Sequence, residues 1–321
     1  MSKLISVLKF VFLASIIFLW SCNGSCNSKK DNRLRVGYVP IAVALPLFVA
    51  NDEGYFQEQG FNIEMVRMAT SNELANATTS GQLDVSVVAT NVMLDIGFVS
   101  KKKHSLVITN PYTSQEGYIT DYILVKDSNA IKKLEDLKGK KIGVFPGSVI
   151  KVFCNLILQK YGLNKDDYQL IELAPQNWAS ALQSGQIDAL SALEPQASQI
   201  IQDKIATPIA SGFYAQLMPN VPLSAHWISE DYVKNNGKEQ SDKIILALDK
   251  AVDFINKNPE KAKAYLFKYA NVREDVVGKV QLNPWKRHNE INLNEVQNFI
   301  DILYQNGAIQ NKENINDYIA R

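Results

Sequence analysis

The sequence predicts an α/β protein built as two doubly wound β/α lobes followed by a helical tail. Three observations predict it. First, Ser80-Gly81-Gln82-Leu83-Asp84 returns as Ser184-Gly185-Gln186-Ile187-Asp188, 104 residues later, about the length of a small domain. Second, apolar strand patterns alternate with amphipathic helical ones through both halves. Third, the pattern from Ser241 onward is helical only. Each copy of the repeat follows an amphipathic stretch and precedes an apolar run, Val85–Ala89 or Ala189–Leu193. Gly81 and Gly185 therefore stand where a helix ends, at the left-handed position glycine reaches cheaply. Two similar lobes imply a cleft between them, and such clefts favour ligands.

The elements follow in order. Leu34–Val39 alternates like a strand and stops at Pro40, and Pro46 suits the first turn of a helix, Leu47–Glu53. Asn62–Arg67 reads as the second strand. Thr70 with Glu73 forms a capping-box pattern for the helix that ends at Gly81. After Val85–Ala89, Thr90 and Asn91 open a helix over 92–99, and Ser105–Asn110 and Asp121–Val125 are further strands. A short helix near Leu134–Leu137 leads to a strand at Ile142–Phe145, and Ser148 caps a helix from Val149 to Tyr161. Tyr168–Leu173 is the next strand, and Asn177 caps the helix into the second repeat. Pro195 suits a helix first turn after Ala189–Leu193. Pro208–Ala210 and Leu223–Ile228 read as strands returning to the first lobe. Helices follow at Ile244–Asn256, Pro259–Tyr269 and Glu295–Asn306.

The front end is of another kind. Lys3 and Lys9 precede an apolar run from Phe10 to Trp20, too short to span a bilayer and suited to a signal-peptide core. Leu19-Trp20-Ser21-Cys22 resembles the lipobox of bacterial lipoproteins, although Trp20 departs from its usual small or aliphatic residue. That resemblance implies removal of residues 1–21 and a lipid on Cys22. Residues 22–33 carry no large apolar side chain and read as a flexible tether. Charge is balanced, with 34 Lys plus Arg against 33 Asp plus Glu, so no nucleic-acid partner is expected. Cys26 falls in the tether, and Cys154 reads as a small buried apolar residue. His104, His226 and His288 form no motif, and no Cys/His spacing suits a metal.

Four stretches together resemble one family, the solute-binding proteins of ABC importers of the sulfonate, taurine, nitrate and thiamine-pyrimidine type, with the periplasmic binding protein type 2-like fold. They are Gly37-Tyr38-Val39-Pro40 with Pro46–Ala50 and Gly54-Tyr55-Phe56; Leu137–Val144 with Gly147-Ser148; the second repeat with Glu194-Pro195; and Phe299–Tyr304 with Gly307-Ala308-Ile309. The resemblance implies two lobes joined by two crossovers near Thr120–Tyr122 and Gly212–Pro222. The first lobe would comprise residues 34–120 plus 223–321, with the tail packed on it, and the second 121–222. It also implies a monomer that traps a small solute without a cofactor and delivers it to a membrane permease from the cell envelope.

Ligands of open α/β sheets sit beyond the carboxyl ends of strands, near helix N-termini. Here that rule selects Tyr38, Pro40, Thr70, Ser71, Thr90 and Asn91 from one lobe, and Gly147, Ser148, Asn177, Trp178 and Glu194 from the other. Helix starts at 70–72 and 148–150 would favour an acceptor-rich or negative group. Thr70, Ser71 and Ser148 serve as helix caps, as ligand contacts, or as both. Tyr38 and Trp178 either flank a planar part of the ligand or pack at the lobe edge and helix start. Glu194 either caps a helix or faces an amine or ring N–H, and it would repel a bare anion. Arg67 and Lys151 are the cations near these loops. The alternative function is an enzyme on the same fold, such as a thiamine-pyrimidine synthase. The cysteine-rich segment associated with that enzyme has no counterpart here, and no nucleophile elbow, HExxH helix or P-loop is present. A third reading, the sensing domain of a regulator, is disfavoured by the lipobox.

Overall fold

A computed structural model describes residues 33–109, 118–218 and 222–320. The leader, Cys22, Cys26 and the tether through residue 32 lie outside the described residues, as do Asn110 and residues 219–221 of the second expected crossover.

The first half runs β1 (Arg33–Tyr38), α1 (Leu45–Asp52), α2 (Tyr55–Glu58), β2 (Asn62–Arg67), α3 (Ser71–Thr79), β3 (Val85–Ala89), α4 (Thr90–Ser100) and β4 (Ser105–Val107). The second runs β5 (Asp121–Val125), β6 (Lys141–Val144), α5 (Ser148–Lys160), β7 (Gln169–Glu172), α6 (Trp178–Ser184), β8 (Ala189–Leu193), α7 (Gln196–Gln202) and β9 (Thr207–Ser211). The chain then continues through β10 (Ser224–Ile228), α8 (Glu230–Asn236), α9 (Lys238–Lys257), α10 (Pro259–Tyr269), α11 (Glu274–Val277) and α12 (Leu293–Gln305).

Two five-stranded sheets result, ordered β2-β1-β3-β10-β4 and β7-β6-β8-β5-β9. The expected parallel pairing holds for β1 with β3 and for β6 with β7 and β8. One strand in each sheet runs the other way: β10 is antiparallel to β3 and β4, and β5 to β8 and β9. These are the first strands after each passage between sheets. β9 was expected to return to the first lobe, but it stays at the edge of the second sheet beside β5. Pro208 has no N–H to donate, and an edge tolerates that lack.

The repeated pentapeptide builds the same corner in both sheets. Gly81 and Gly185 close α3 and α6 with φ of 77° and 76°. Leu83 N–H then donates to Ala77 C=O, and Ile187 N–H to Ala181 C=O. Asp84 N–H donates to Arg35 C=O, and Asp188 N–H to Lys141 C=O. Each aspartate side chain takes the N–H of the same neighbouring residue, Arg35 or Lys141, both at 2.8 Å. Gly37 and Gly143 allow the corner to pack close. A Cβ there would stand 2.7 Å from Leu74 Cδ2 or 2.6 Å from Ile187 Cδ1. Asp84 additionally holds the Arg35 guanidinium through both carboxylate oxygens, at 2.7 and 3.0 Å. We expect Asp84→Ala and Asp188→Ala each to lower unfolding free energy by about 1–3 kcal/mol, since each orphans a strand N–H. Asp84→Ala should cost more, because it also removes both bonds from the Arg35 guanidinium to Asp84. Urea denaturation of both variants tests this, and equal or inverted losses would refute the assigned roles.

Helices α1, α9, α10 and α11 share a core with one face of the first sheet, joining Phe48, Leu248, Leu266 and Val276 to Val36 and Val85. The tail thus packs on the first sheet, as expected. Its last helix, α12, reaches further: Phe299 meets Phe153 of α5 edge-on at 5.8 Å, within a core that also holds Leu74, Met93 and Trp227. The amphipathic α12 buries Val296, Phe299, Ile300 and Leu303 along one face, which explains its position.

Candidate functional site

A hollow lies where the strand ends of the two sheets face each other, with about 80 Å³ of space open to water-sized molecules. Ser71 and Asn91 line it from the first sheet's side, Gly147 and Glu194 from the second's. Four expected residues are therefore gathered on one cavity.

Asn91 occupies the first turn of α4, where it is 2 % exposed. Its Nδ2 donates to Ser148 Oγ at 2.7 Å, a direct bridge between the two halves. Its Oδ1 is buried and has no partner among the described residues. Such an acceptor on a cavity wall awaits a donor. Glu194 follows β8 directly, and its N–H donates to Thr120 C=O at 2.9 Å. Its carboxylate accepts from Ser198 Oγ at 2.7 Å, from Ser198 N–H at 3.2 Å and from the backbone N–H of Gln281. Burial nevertheless pushes its pKa up to about 7, opposed by these hydrogen bonds and by the Lys263 charge.

The other expected residues are spent elsewhere. Thr70 Oγ1 accepts from Glu73 N–H at 3.2 Å, while Glu73 Oε2 accepts from Ala69 N–H at 3.0 Å rather than from Thr70 N–H, so only the first half of the expected capping box forms. Thr70 borders a small separate hollow beside Phe145 and Pro146. Ser71, which lines the cavity, also accepts the Ala89 N–H through its Oγ at 3.4 Å. Thr90 is fully buried and donates to Pro222 C=O at 2.9 Å. Ser148 is no cap: it lies inside α5, and its Oγ donates to Ala308 C=O at 3.1 Å. Pro40 lines an adjoining groove with Arg67, and its C=O accepts from Gln196 Nε2 at 3.4 Å. Asn177 is exposed and makes no side-chain cap. Tyr38 is buried edge-on against Phe48 and Tyr269, with ring centroids at 5.0 and 6.0 Å.

Two expectations need correction. Trp178 is wholly buried, with its Nε1–H donated to Leu173 C=O at 2.7 Å, so it offers no face to a ligand. It stands behind Phe145, edge-on at 6.5 Å, and Phe145 is the ring that lines the cavity. The start of α5 was expected to attract a negative ligand group. The chain already supplies one: Glu172 accepts from Gly147 N–H at 2.8 Å and pairs with Lys151 at 2.9 Å.

Other lining residues escaped sequence reasoning. Tyr214 shows its ring to the cavity while its hydroxyl bonds Ser191 and its N–H donates to Asp121 Oδ1 at 2.9 Å. Gln281, Asn283 and Trp285 come from an irregular segment that has no period to reveal it. A tryptophan after a proline in that segment was the one available signal. Asp121 and Glu194 are the only charged residues described on the wall, and both are acidic. None of the three histidines lines it, and no cluster of three or more metal-ligating side chains occurs among the described residues. Cys154 is a buried free thiol whose pKa burial pushes up to about 12.

Two mixed sheets with strand ends converging on one hollow, and helices closing the chain, define the periplasmic binding protein class of fold. Its structure superposes on the alkanesulfonate-binding protein SsuA of Xanthomonas axonopodis pv. citri, bound to MOPS, with a TM-score of 0.74 at 19 % identity, covering 90 % of this chain and 98 % of that one. The nitrate-binding protein NrtA of Synechocystis gives 0.71 at 13 % identity, covering 87 % and 82 %. Within that class, the chain belongs to the NMT1-like family, whose model matches residues 27–268. It is also similar to the 4-amino-5-hydroxymethyl-2-methylpyrimidine phosphate synthase THI13 of Saccharomyces cerevisiae. The two are 24 % identical over 269 residues, 79 % of this chain and 68 % of the yeast protein.

Proposed function

We propose that this protein is the extracytoplasmic solute-binding component of an ABC importer, held to a membrane through Cys22. In this reading residues 34–120 with 223–321 form one lobe and 121–222 the other. The solute is a small organic molecule with a planar or apolar body and hydrogen-bond donors. One observation carries the reading: the strand ends of both sheets meet at a cavity whose wall holds two buried acceptors, Glu194 and Asn91 Oδ1. Phe145, Tyr214 and Trp285 supply aromatic walls around them. An amine, amidine or ring N–H satisfies both acceptors. A sulfonate or nitrate ion meets two carboxyl groups and no lining cation, which opposes its entry. The preferred class is thus nearer an aminopyrimidine than the anions bound by the two structural neighbours.

A thermal-shift screen tests this with aminopyrimidines, flavins, aromatic acids, sulfonates and nitrate. An accepted compound at about a hundred times its Kd adds about 2.7 kcal/mol, or about 4–5 °C in Tm for a body of this size. We expect a pyrimidine-class hit and a smaller scattering radius on binding. Stabilisation by a sulfonate or nitrate, with none by donor-bearing compounds, would overturn the ligand class. The enzyme reading rests on the yeast relative's name. Mass spectrometry of the hit after incubation distinguishes it: release of the compound unchanged supports transport, and conversion supports catalysis.

A further inference from the structure

The cavity has a third wall that belongs to neither set of strand ends. After α11 the chain runs from Gly278 to Arg287 without helix or strand. It is fastened to the first sheet's core at both ends. Val280 is fully buried there. Trp285 is clamped twice by α9, its N–H donating to Asn256 Oδ1 at 2.9 Å and its C=O accepting from Asn256 Nδ2 at 2.8 Å. Between these anchors, Gln281, Leu282 and Asn283 lie over the cavity.

The same stretch holds the opposite half through the β8–α7 corner. Ser198 Oγ lies 3.4 Å from Lys279 C=O and 2.7 Å from Glu194 Oε1. The Glu194 carboxylate accepts the Gln281 N–H, and Lys279 Nζ bonds Gln202 Oε1. Just upstream, Arg273 grips Asp203 at the end of α7 with two bonds of 2.6 and 2.7 Å. The first half thus fixes the segment at Val280 and Trp285, while the second half holds Arg273 and Lys279 upstream and, between the anchors, the Gln281 N–H. A wall built this way can lift at its centre without unfolding either core.

We propose that residues 279–285 form a strap that closes the solute cleft, and that Glu194 and Ser198 are its catch. The proposal deepens the solute-binding reading and rests on it. In that reading Glu194 both faces the solute and holds the strap, so capture and fastening involve one carboxyl group. Hydrogen exchange on the ligand-free full-length protein tests the strap without a solute, so it can fail independently of the ligand class. In Glu194→Ala and Ser198→Ala, amides from 279 to 285 should exchange about tenfold faster or more. Peptides from β8 and α9 should keep wild-type protection. Arg273→Ala, at an exposed position that folding tolerates, should give a smaller rise confined to the same peptide. Unchanged protection across 279–285, or a rise shared equally by β8 and α9, overturns the proposal.

Discussion

Replacing Glu194 with glutamine is expected to stabilise the ligand-free protein by about 3 kcal/mol at pH 8 and by little at pH 4.5. The carboxyl group is 4 % exposed, and burial raises its pKa from 4.5 to about 7. Between these values the unfolded chain releases the proton while the folded one keeps it. Stability from this group is therefore full below pH 4.5, falls as pH rises and is lost above 7. At about 1.4 kcal/mol per pH unit, the difference is about 3 kcal/mol. Glutamine carries no charge at any of these pH values and keeps one oxygen for the Gln281 and Ser198 donors. His104 and His226 act in the opposite sense, since burial lowers their pKa values to about 4 and about 3. Their contribution is lost as pH falls below 6.5, and it cancels between wild type and variant. Denaturant titrations across pH 4–9 measure the difference, and parallel profiles for the two proteins would refute it.

Trp178→Ala is expected to lower stability by about 3–5 kcal/mol, and Trp178→Phe by much less. The indole is wholly enclosed, and its removal leaves both a void and the Leu173 C=O without its donor. A loss of this size lowers Tm by about 5–8 °C. Binding should weaken only as far as Phe145 shifts, because Phe145 rather than Trp178 meets the cavity. Calorimetry on both variants decides the matter. A folded Trp178→Ala protein of wild-type stability that no longer binds would assign the indole to the ligand after all.

Several elements could be read from the chain because their signals are local. Asn62–Arg67, Val85–Ala89, Asp121–Val125 and Ala189–Leu193 have the expected bounds in the structure. Each is a short apolar or alternating run bounded by turn residues. The Thr70 cap needs only four residues, and it forms as expected, although Glu73 reaches the Ala69 N–H rather than that of Thr70. The site was less legible. Ser148 looked like a cap, but Ala308, remote in sequence, takes its hydroxyl. The start of α5 looked open to an anion, but Glu172 arrives there from β7. Trp178 and Phe145 are both aromatic residues near strand ends, and only the packing of α6 decides which is hidden.

The amino-acid sequence by itself determined the twin helix–glycine–strand corners, the alternation of elements and the helical tail. These depend on periodicity, turn chemistry and backbone preference over a few residues. Only the tertiary structure decided that β10 and β5 run antiparallel, that Glu194 is buried beside Gln281, and that Trp285 completes the cavity. Those outcomes depend on which distant surfaces exclude water from one another, and no local window of sequence encodes that.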